Sequence, residues 1–254
     1  MPEISAVIIT YNEELYIDKC LASIYGIADE IVVVDSFSTD STEEICKKYN
    51  VRFVKHEFEG YRDQKNFALK LTTYKNVLSL DADEALSDRL RESILAIKNK
   101  WDYDGYLFNR QNIYCGKWIR HSQWYPDRQL RLFHSDKGRF GELNVHEKFI
   151  MSNGSKIGKL KGDILHWPFI SRQHYIDKMN KYSQIGGREL HKAGRKAYIF
   201  TPYIHLVWGF FRSYIIKRGF LDGREGFFIC SVYAKSAFNK YMKLRILNNN
   251  GVVR

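Results

Sequence analysis

Four times in its first hundred residues the chain sets a short, strand-length run ahead of a stretch with helical spacing. Residues 4–10 read as a buried strand. Residues 13–25 then carry Leu15, Cys20, Leu21 and Ile24 on roughly one helical face, and Gly26 is a helix stop. Residues 30–34 form a second strand ending at Asp35. Ser41 or Asp40 caps a helix through Tyr49, with Glu43 and Glu44 suited to its first turn. The pairs 51–54 with 60–71, and 77–80 with 86–98, complete the series. Such alternation predicts an α/β fold, a mostly parallel sheet flanked by helices. A chain of 254 residues is long enough to bury a core of that size.

Ligands of these sheets bind beyond the carboxyl ends of the strands. Three polar clusters fall there: Thr10-Tyr11-Asn12, Asp35, and the pair Asp81 and Asp83. Two carboxylates spaced i, i+2 at the end of a buried strand are costly unless a cation meets them. Hard divalent cations suit oxygen ligands of this kind and usually bring substrate phosphates. Asp-x-Asp alone is common by chance; three polar strand ends on one edge predict a nucleotide-phosphate site.

Beyond residue 100 the pattern changes. Residues 106–108, 130–133 and 163–166 read as strands between polar loops, and 172–196 as helix. Residues 1–100 hold 13 Lys and Arg against 18 Asp and Glu, whereas residues 101–254 hold 27 against 11. The second part is suited to a polyanionic partner: a phosphorylated substrate, an anionic membrane or a nucleic acid. Residues 197–211 contain no Lys, Arg, Asp or Glu, yet the run includes Pro202 and His205 and falls short of the roughly 20 apolar residues of a spanning helix. It reads as interfacial, with a buried helical hairpin as the alternative. The four scattered cysteines form no CxxC pair and fit a reducing compartment. The N-terminus lacks a basic n-region and a cleavage-site pattern, so no signal peptide is expected. The division expected is 1–168 for the catalytic α/β domain and 169–254 for a helical, basic, aromatic-rich extension at the acceptor or membrane side.

Residues 7–13 (Val-Ile-Ile-Thr-Tyr-Asn-Glu), 32–42 (Val-Val-Val-Asp-Ser-Phe-Ser-Thr-Asp-Ser-Thr) and 80–84 (Leu-Asp-Ala-Asp-Glu) resemble the GT-A family 2 glycosyltransferases. Residues 125–133, 145–147 and 217–223 resemble the bacterial lipopolysaccharide-core β-glucosyltransferase branch. The resemblance covers nearly the whole chain. It departs at Asp35-Ser36, where two adjacent acids are frequent, and in lacking the Gln-x-x-Arg-Trp motif of processive synthases. Transfer of a single sugar is favoured over polymerisation.

The resemblance implies a GT-A, Rossmann-like fold and an inverting, metal-dependent transfer of a hexose, glucose by the branch, from a UDP-sugar to a saccharide or glycolipid acceptor. Thr10, Tyr11, Asn12 and Glu13 offer a stacking ring and polar edges to uracil and ribose, and Asp35 an acceptor for the uracil N–H. Lys65 resembles the family's basic residue near the diphosphate. Asp83 would bind Mg2+ or Mn2+, Asp81 would meet ribose or metal-bound water, and His166 matches a further metal ligand of some relatives. Glu147 resembles the acidic position on the acceptor side and is the expected base, with Glu142 and Asp127 as rivals. Arg110, Arg120, Arg128 and Arg131 lie among Trp118, Trp124 and Tyr125, a mixture that suits a phosphorylated saccharide. The expected location is cytoplasmic, peripheral on the inner face of the cytoplasmic membrane.

Two other classes compete. A metal-dependent nucleotidyltransferase would show a Gly-rich phosphate loop after the first strand, and a phosphohydrolase of the haloacid-dehalogenase kind would place its Asp-x-Asp there. A non-enzymatic basic module for membrane or nucleic acid would not need three acidic or polar strand ends on one edge. No nucleic acid partner is expected.

Overall fold

The computed structural model describes residues 1–141, 148–169 and 171–250, which fall into two compact units. The first comprises Met1–Gln111 and Asp127–Trp167, the second Asn112–Pro126 and Pro168–Arg254.

In the first unit the alternation becomes β1 (Ile4–Thr10), α1 (Ile17–Ile24), β2 (Glu30–Asp35), α2 (Thr42–Cys46), β3 (Arg52–Lys55), α3 (Tyr61–Lys70) and β4 (Asn76–Asp81). After β4 come β5 (Glu84–Leu86), α4 (Asp88–Ile97), β6 (Gly105–Tyr114), which runs into the second unit, and β7 (Lys117–Trp118). The chain returns through β8 (Asp127–His134), β9 (Gly138–Gly141), β10 (Lys148–Met151) and β11 (Ile157–His166). The sheet order is β3-β2-β1-β4-β8-β6-β11-β5, with β7 on β6 and a separate β9–β10 pair. The first four strands are parallel, while β8 runs antiparallel to β4 and β11 antiparallel to β5.

Residues of β1 alternate between two cores, as a central strand buried on both faces must. Ala6 and Ile8 pack with Leu21 and Ile24 of α1 and Leu90 and Ile94 of α4. Val7 joins Val32, Val34, Ala68 and Phe133 on the opposite side. Register then fixes the polar edge: Thr10 pairs with Asp35, and Ile9 with Asp81. At the far side of the sheet Glu84 pairs with His166.

Several elements are shorter than their sequence patterns. Residues 13–16 form a turn in which the Tyr16 and Ile17 N–H groups donate to the Glu13 carbonyl, and α1 begins only at Ile17. Leu86 belongs to β5, and Ser87 caps α4 by accepting from the Leu90 N–H. The helix α4 also packs against β11, where Gly162 has φ +100 and a Cβ would lie 2.7 Å from the Leu90 Cα. Only glycine fits both the conformation and the approach.

The second unit is built on α5 (Arg172–Lys192), α6 (Thr201–Phe211), a π-helical turn at Arg212–Ile216, a 3-10 turn at Gly219–Asp222, and α7 (Gly223–Asn250). Tyr114, Ile119, Tyr175 and Ile229 form its core, with Trp124, Phe169 and Phe228 against them. Buried Asp222 accepts from the Arg120 and His121 N–H groups and bonds His121 Nδ1 at 3.0 Å. The Arg-Gly-Phe-Leu-Asp-Gly segment therefore ties the 119–122 loop to the start of α7. Among the described residues no helix is long and apolar enough to cross a membrane. Cys20, Cys46 and Cys230 are buried, and Cys115, in the turn between β6 and β7, is exposed.

Candidate active site

The carboxyl ends of β1 and β2 lead into loops that are stitched to each other. The Asn12 N–H donates to Ser38 Oγ at 2.8 Å, and the Thr39 N–H to Asn12 Oδ1 at 2.8 Å. The Glu13 N–H donates to Thr42 Oγ1, the Glu14 N–H to Asp40 Oδ2, and the Ser41 N–H back to a Glu14 oxygen. Asn12 takes φ +54, a left-handed conformation that asparagine tolerates better than most residues. Tyr11 is left 58% exposed at the rim. Asp35 is fully buried, one oxygen accepting the Ser38 N–H at 2.9 Å and the other the Ser38 hydroxyl. Asp35 thus holds the loop through Ser38. Ser38, Thr39, Asp40 and Thr42 were not singled out individually from sequence, although a Ser/Thr/Asp run after a strand is the pattern that makes such side-chain-to-backbone bonds.

Next to them, the two aspartates after β4 have different surroundings. Asp81 receives Lys65 Nζ on Oδ1 and Arg131 Nη2 on Oδ2, each at 2.8 Å. Burial by itself would push the Asp81 carboxyl up, but Arg131 and Lys65 hold it well below the usual carboxylate range. Lys65 is itself buried, on α3. Arg131 also meets Glu84 at 2.8 Å, and Arg110 bridges Glu84 at 3.1 Å and Asp127 at 2.7 Å. Glu84 is entirely buried, which a carboxylate tolerates only when paired. Asp81, Glu84 and Asp127 thus interlock with Lys65, Arg110 and Arg131, three acids with three bases. Arg110 and Arg131, expected among phosphate binders, are engaged here with carboxylates; Arg120 and Arg128 are exposed.

Asp83 lies outside that set. Its Oδ2 is 3.3 Å from His166 Nε2, and its carbonyl accepts the Trp167 N–H. The Glu84–His166 pairing of β5 with β11, which rests on a three-residue strand, brings the histidine there. Tyr16 stacks on Trp167 at 5.8 Å, and Lys19 lies over both rings. Burial, Glu13 and Asp83 together raise the Tyr16 hydroxyl above its ordinary value, which places Tyr16 within the field of this corner. Neither ring was picked out from sequence; Trp167 directly follows the candidate ligand His166, and that adjacency was the available signal. A carboxylate oxygen beside an imidazole nitrogen is a donor pair that a divalent ion can accept. Among the described residues there is no group of three or more His, Cys, Asp or Glu that could hold a metal, and Asp83 with His166 is a pair. Glu147 and Glu142 lie outside the described residues, and Asp127 is held by Arg110 and Gln129.

The polar ends of β2, β1 and β4 lie on adjacent strands of one sheet, and α/β sheets bind their ligands at such ends. The profile of glycosyl transferase family 2 matches residues 5–152. An uncharacterised glycosyltransferase of Rickettsia typhi is 31% identical over 258 residues, covering 98% of this chain and 88% of that protein. The lipopolysaccharide core biosynthesis glycosyltransferase LpsC of Rhizobium meliloti is 32% identical over 247 residues, covering 91% and 88%. The crystal structure of S. aureus TarS 1–349 in complex with UDP-GlcNAc overlays with a TM-score of 0.47 at 17% identity, over 98% of this chain and 92% of that one. The chain belongs to glycosyl transferase family 2, and its activity is sugar transfer.

Proposed function

We propose that the chain moves one hexose, glucose by its sequence branch, from a UDP-sugar to a saccharide acceptor with inversion. The acceptor in this reading is a lipopolysaccharide-core or related glycolipid at the inner face of the cytoplasmic membrane. Similarity to LpsC supports the acceptor class. The donor would occupy the 1–168 region, with 169–254 serving acceptor or membrane.

The observation that carries the reading is the split between the two aspartates: Asp81 is neutralised by Lys65 and Arg131, and Asp83 is left with His166. Asp83 and His166 would hold the divalent ion, with donor phosphate oxygens and water completing its shell. When bound, that ion supplies positive charge to the departing diphosphate. The exposed Tyr11 ring offers a stacking face to uracil, and the stitched 10–14 and 35–42 loops offer a preformed polar rim to base and ribose. Asp81, fixed by its two cations, orients the turn that carries Asp83. Glu147 accepts the proton of the acceptor hydroxyl as the sugar moves; Asp127 is the weaker candidate because Arg110 holds it.

Calorimetry of UDP with and without Mn2+ tests this reading. Binding should require the ion and vanish in Asp83→Asn, which keeps the shape and removes the charge. Equal affinity in the variant, with its circular dichroism unchanged, would refute the assignment of Asp83.

A further inference from the structure

The helix α6 is apolar on both sides. Its inner side is covered within the second unit: His205 stacks on Tyr241 at 3.7 Å, and Gly209 sits beside Ala234 of α7. Its outer side is bare. Ile204, Val207 and Trp208 are 63%, 67% and 52% exposed, and the i, i+3, i+4 spacing puts them on one stripe. The apolar surface continues before α6 through the 198–200 turn and after it into the π-helical turn. A slot of about 490 Å3 walled by Leu206, Phe210 and Ile215 together with Ala234 opens beside this stripe. A monomeric protein in water rarely leaves so large an apolar surface uncovered.

Charge identifies what covers it. Residues 190–221 hold six Lys and Arg and no Asp or Glu. Arg195 and Lys196 on one side of the run, and Arg212, Lys217 and Arg218 on the other, are all exposed. An apolar stripe flanked in sequence by exposed Lys and Arg matches an anionic bilayer surface, where hydrocarbon meets the stripe and phosphate headgroups meet the flanking cations. A second copy of the chain would bring the same flanking cations against themselves. Crossing the bilayer is excluded by length, since the 11 residues of α6 span about 17 Å against a hydrocarbon core of about 30 Å.

We propose that α6 and its flanking turns are a monotopic membrane-docking face that lies in the plane of an anionic leaflet, with Ile204, Val207 and Trp208 immersed and one lipid chain entering the slot. The proposal adds the contacting residues to the glycolipid reading above, but it is tested without donor or acceptor.

The full chain is mixed with vesicles of phosphatidylglycerol and phosphatidylcholine in equal parts, and with phosphatidylcholine alone. Sedimentation with the anionic vesicles, release of most of the protein by moderate salt, and little binding to the neutral ones are expected. With brominated acyl chains the tryptophan emission should be quenched, and Trp208→Phe, which keeps the surface apolar, should remove most of that quenching while binding persists. Val207→Asp should weaken vesicle binding by about ten-fold or more at unchanged thermal stability. Absence of vesicle binding overturns the proposal. So does a pellet that salt does not release, or quenching that survives in Trp208→Phe. Concentration-dependent dimerisation that Val207→Asp abolishes would assign the face to a second copy instead. UDP affinity measured on the same sample is scored separately, so the docking face and the donor site fail or stand independently.

Discussion

Asp81 and Asp83 are chemically identical and two residues apart, and their neighbours give them different work. Asp81 pairs with two cations: removing its charge leaves the buried Lys65 and Arg131 facing a neutral amide. Breaking one partner out of a buried ion pair costs about 3–5 kcal/mol, so Asp81→Asn should lower the stability read from urea titrations by that order. The sign with pH follows from its depressed value. The Asp81 contribution is fully present above the unfolded carboxyl pKa of about 3.9 and fades as pH falls through the lower folded value. The acid limb of the stability curve should therefore flatten in Asp81→Asn. For the proposed base, Glu147→Gln should cut turnover by about 100-fold or more, the range of general-base loss, with donor affinity kept. Activity in that variant together with a dead Glu142→Gln would move the role to Glu142. Thr10, Asp35 and Asp81 were legible in sequence because each ends a short apolar run, and Asp83 because it repeats the acid two residues on. The partners were not: Arg131 is 50 residues from Asp81, and its positive charge is equally consistent with a phosphate or a carboxylate.

Elements carry the next layer. The parallel half of the sheet was readable because its strands are short apolar runs between well-marked helices. Strand β5 was not, since three residues show no period and its buried Glu84 reads as polar. Yet β5 brings His166 to Asp83 through its pairing with β11. The contact of β11 with α4 depends on Gly162. A methyl there would strike the backbone of Leu90 and force an L residue into φ +100. Gly162→Ala should cost about 1–3 kcal/mol or more by overpacking and backbone strain. Because β11 carries His166, the variant should also lose metal-dependent UDP affinity. A stable variant with parental UDP affinity would mean that β11 tolerates the shift.

At the scale of the whole molecule, the sequence separated an acidic first hundred residues from a basic remainder. It did not reveal that residues 112–126, in the middle of the strand-rich region, cluster with 168–254. Their aromatic residues announce a core without saying which one: Tyr114 and Trp124 pack with Tyr175 and Phe169, far along the chain. A ligand that binds only the folded chain stabilises it by mass action, by about 2.7 kcal/mol at a hundred times its Kd. For a chain of this size that corresponds to a rise in Tm of roughly 5–10 °C. UDP-sugars with Mn2+ should produce it and GDP-mannose should not. A shift with GDP-mannose alone would reassign the base specificity of the donor pocket.

The placing of the thiols has a practical consequence. A thiol reacts as its thiolate, and burial raises Cys46 to about 12, while Cys20, beneath Asp81, is pushed up by burial and by Glu84, Asp83 and Asp81. Cys230 is likewise buried and raised. Cys115 alone of the four stands open to solvent, on a tight turn in the second unit. A maleimide should therefore label the native chain at Cys115 alone, which mass spectrometry of the labelled protein would check. A dye or spin label can be placed on the unit that bears the apolar helix without engineering a cysteine or disturbing the aspartates.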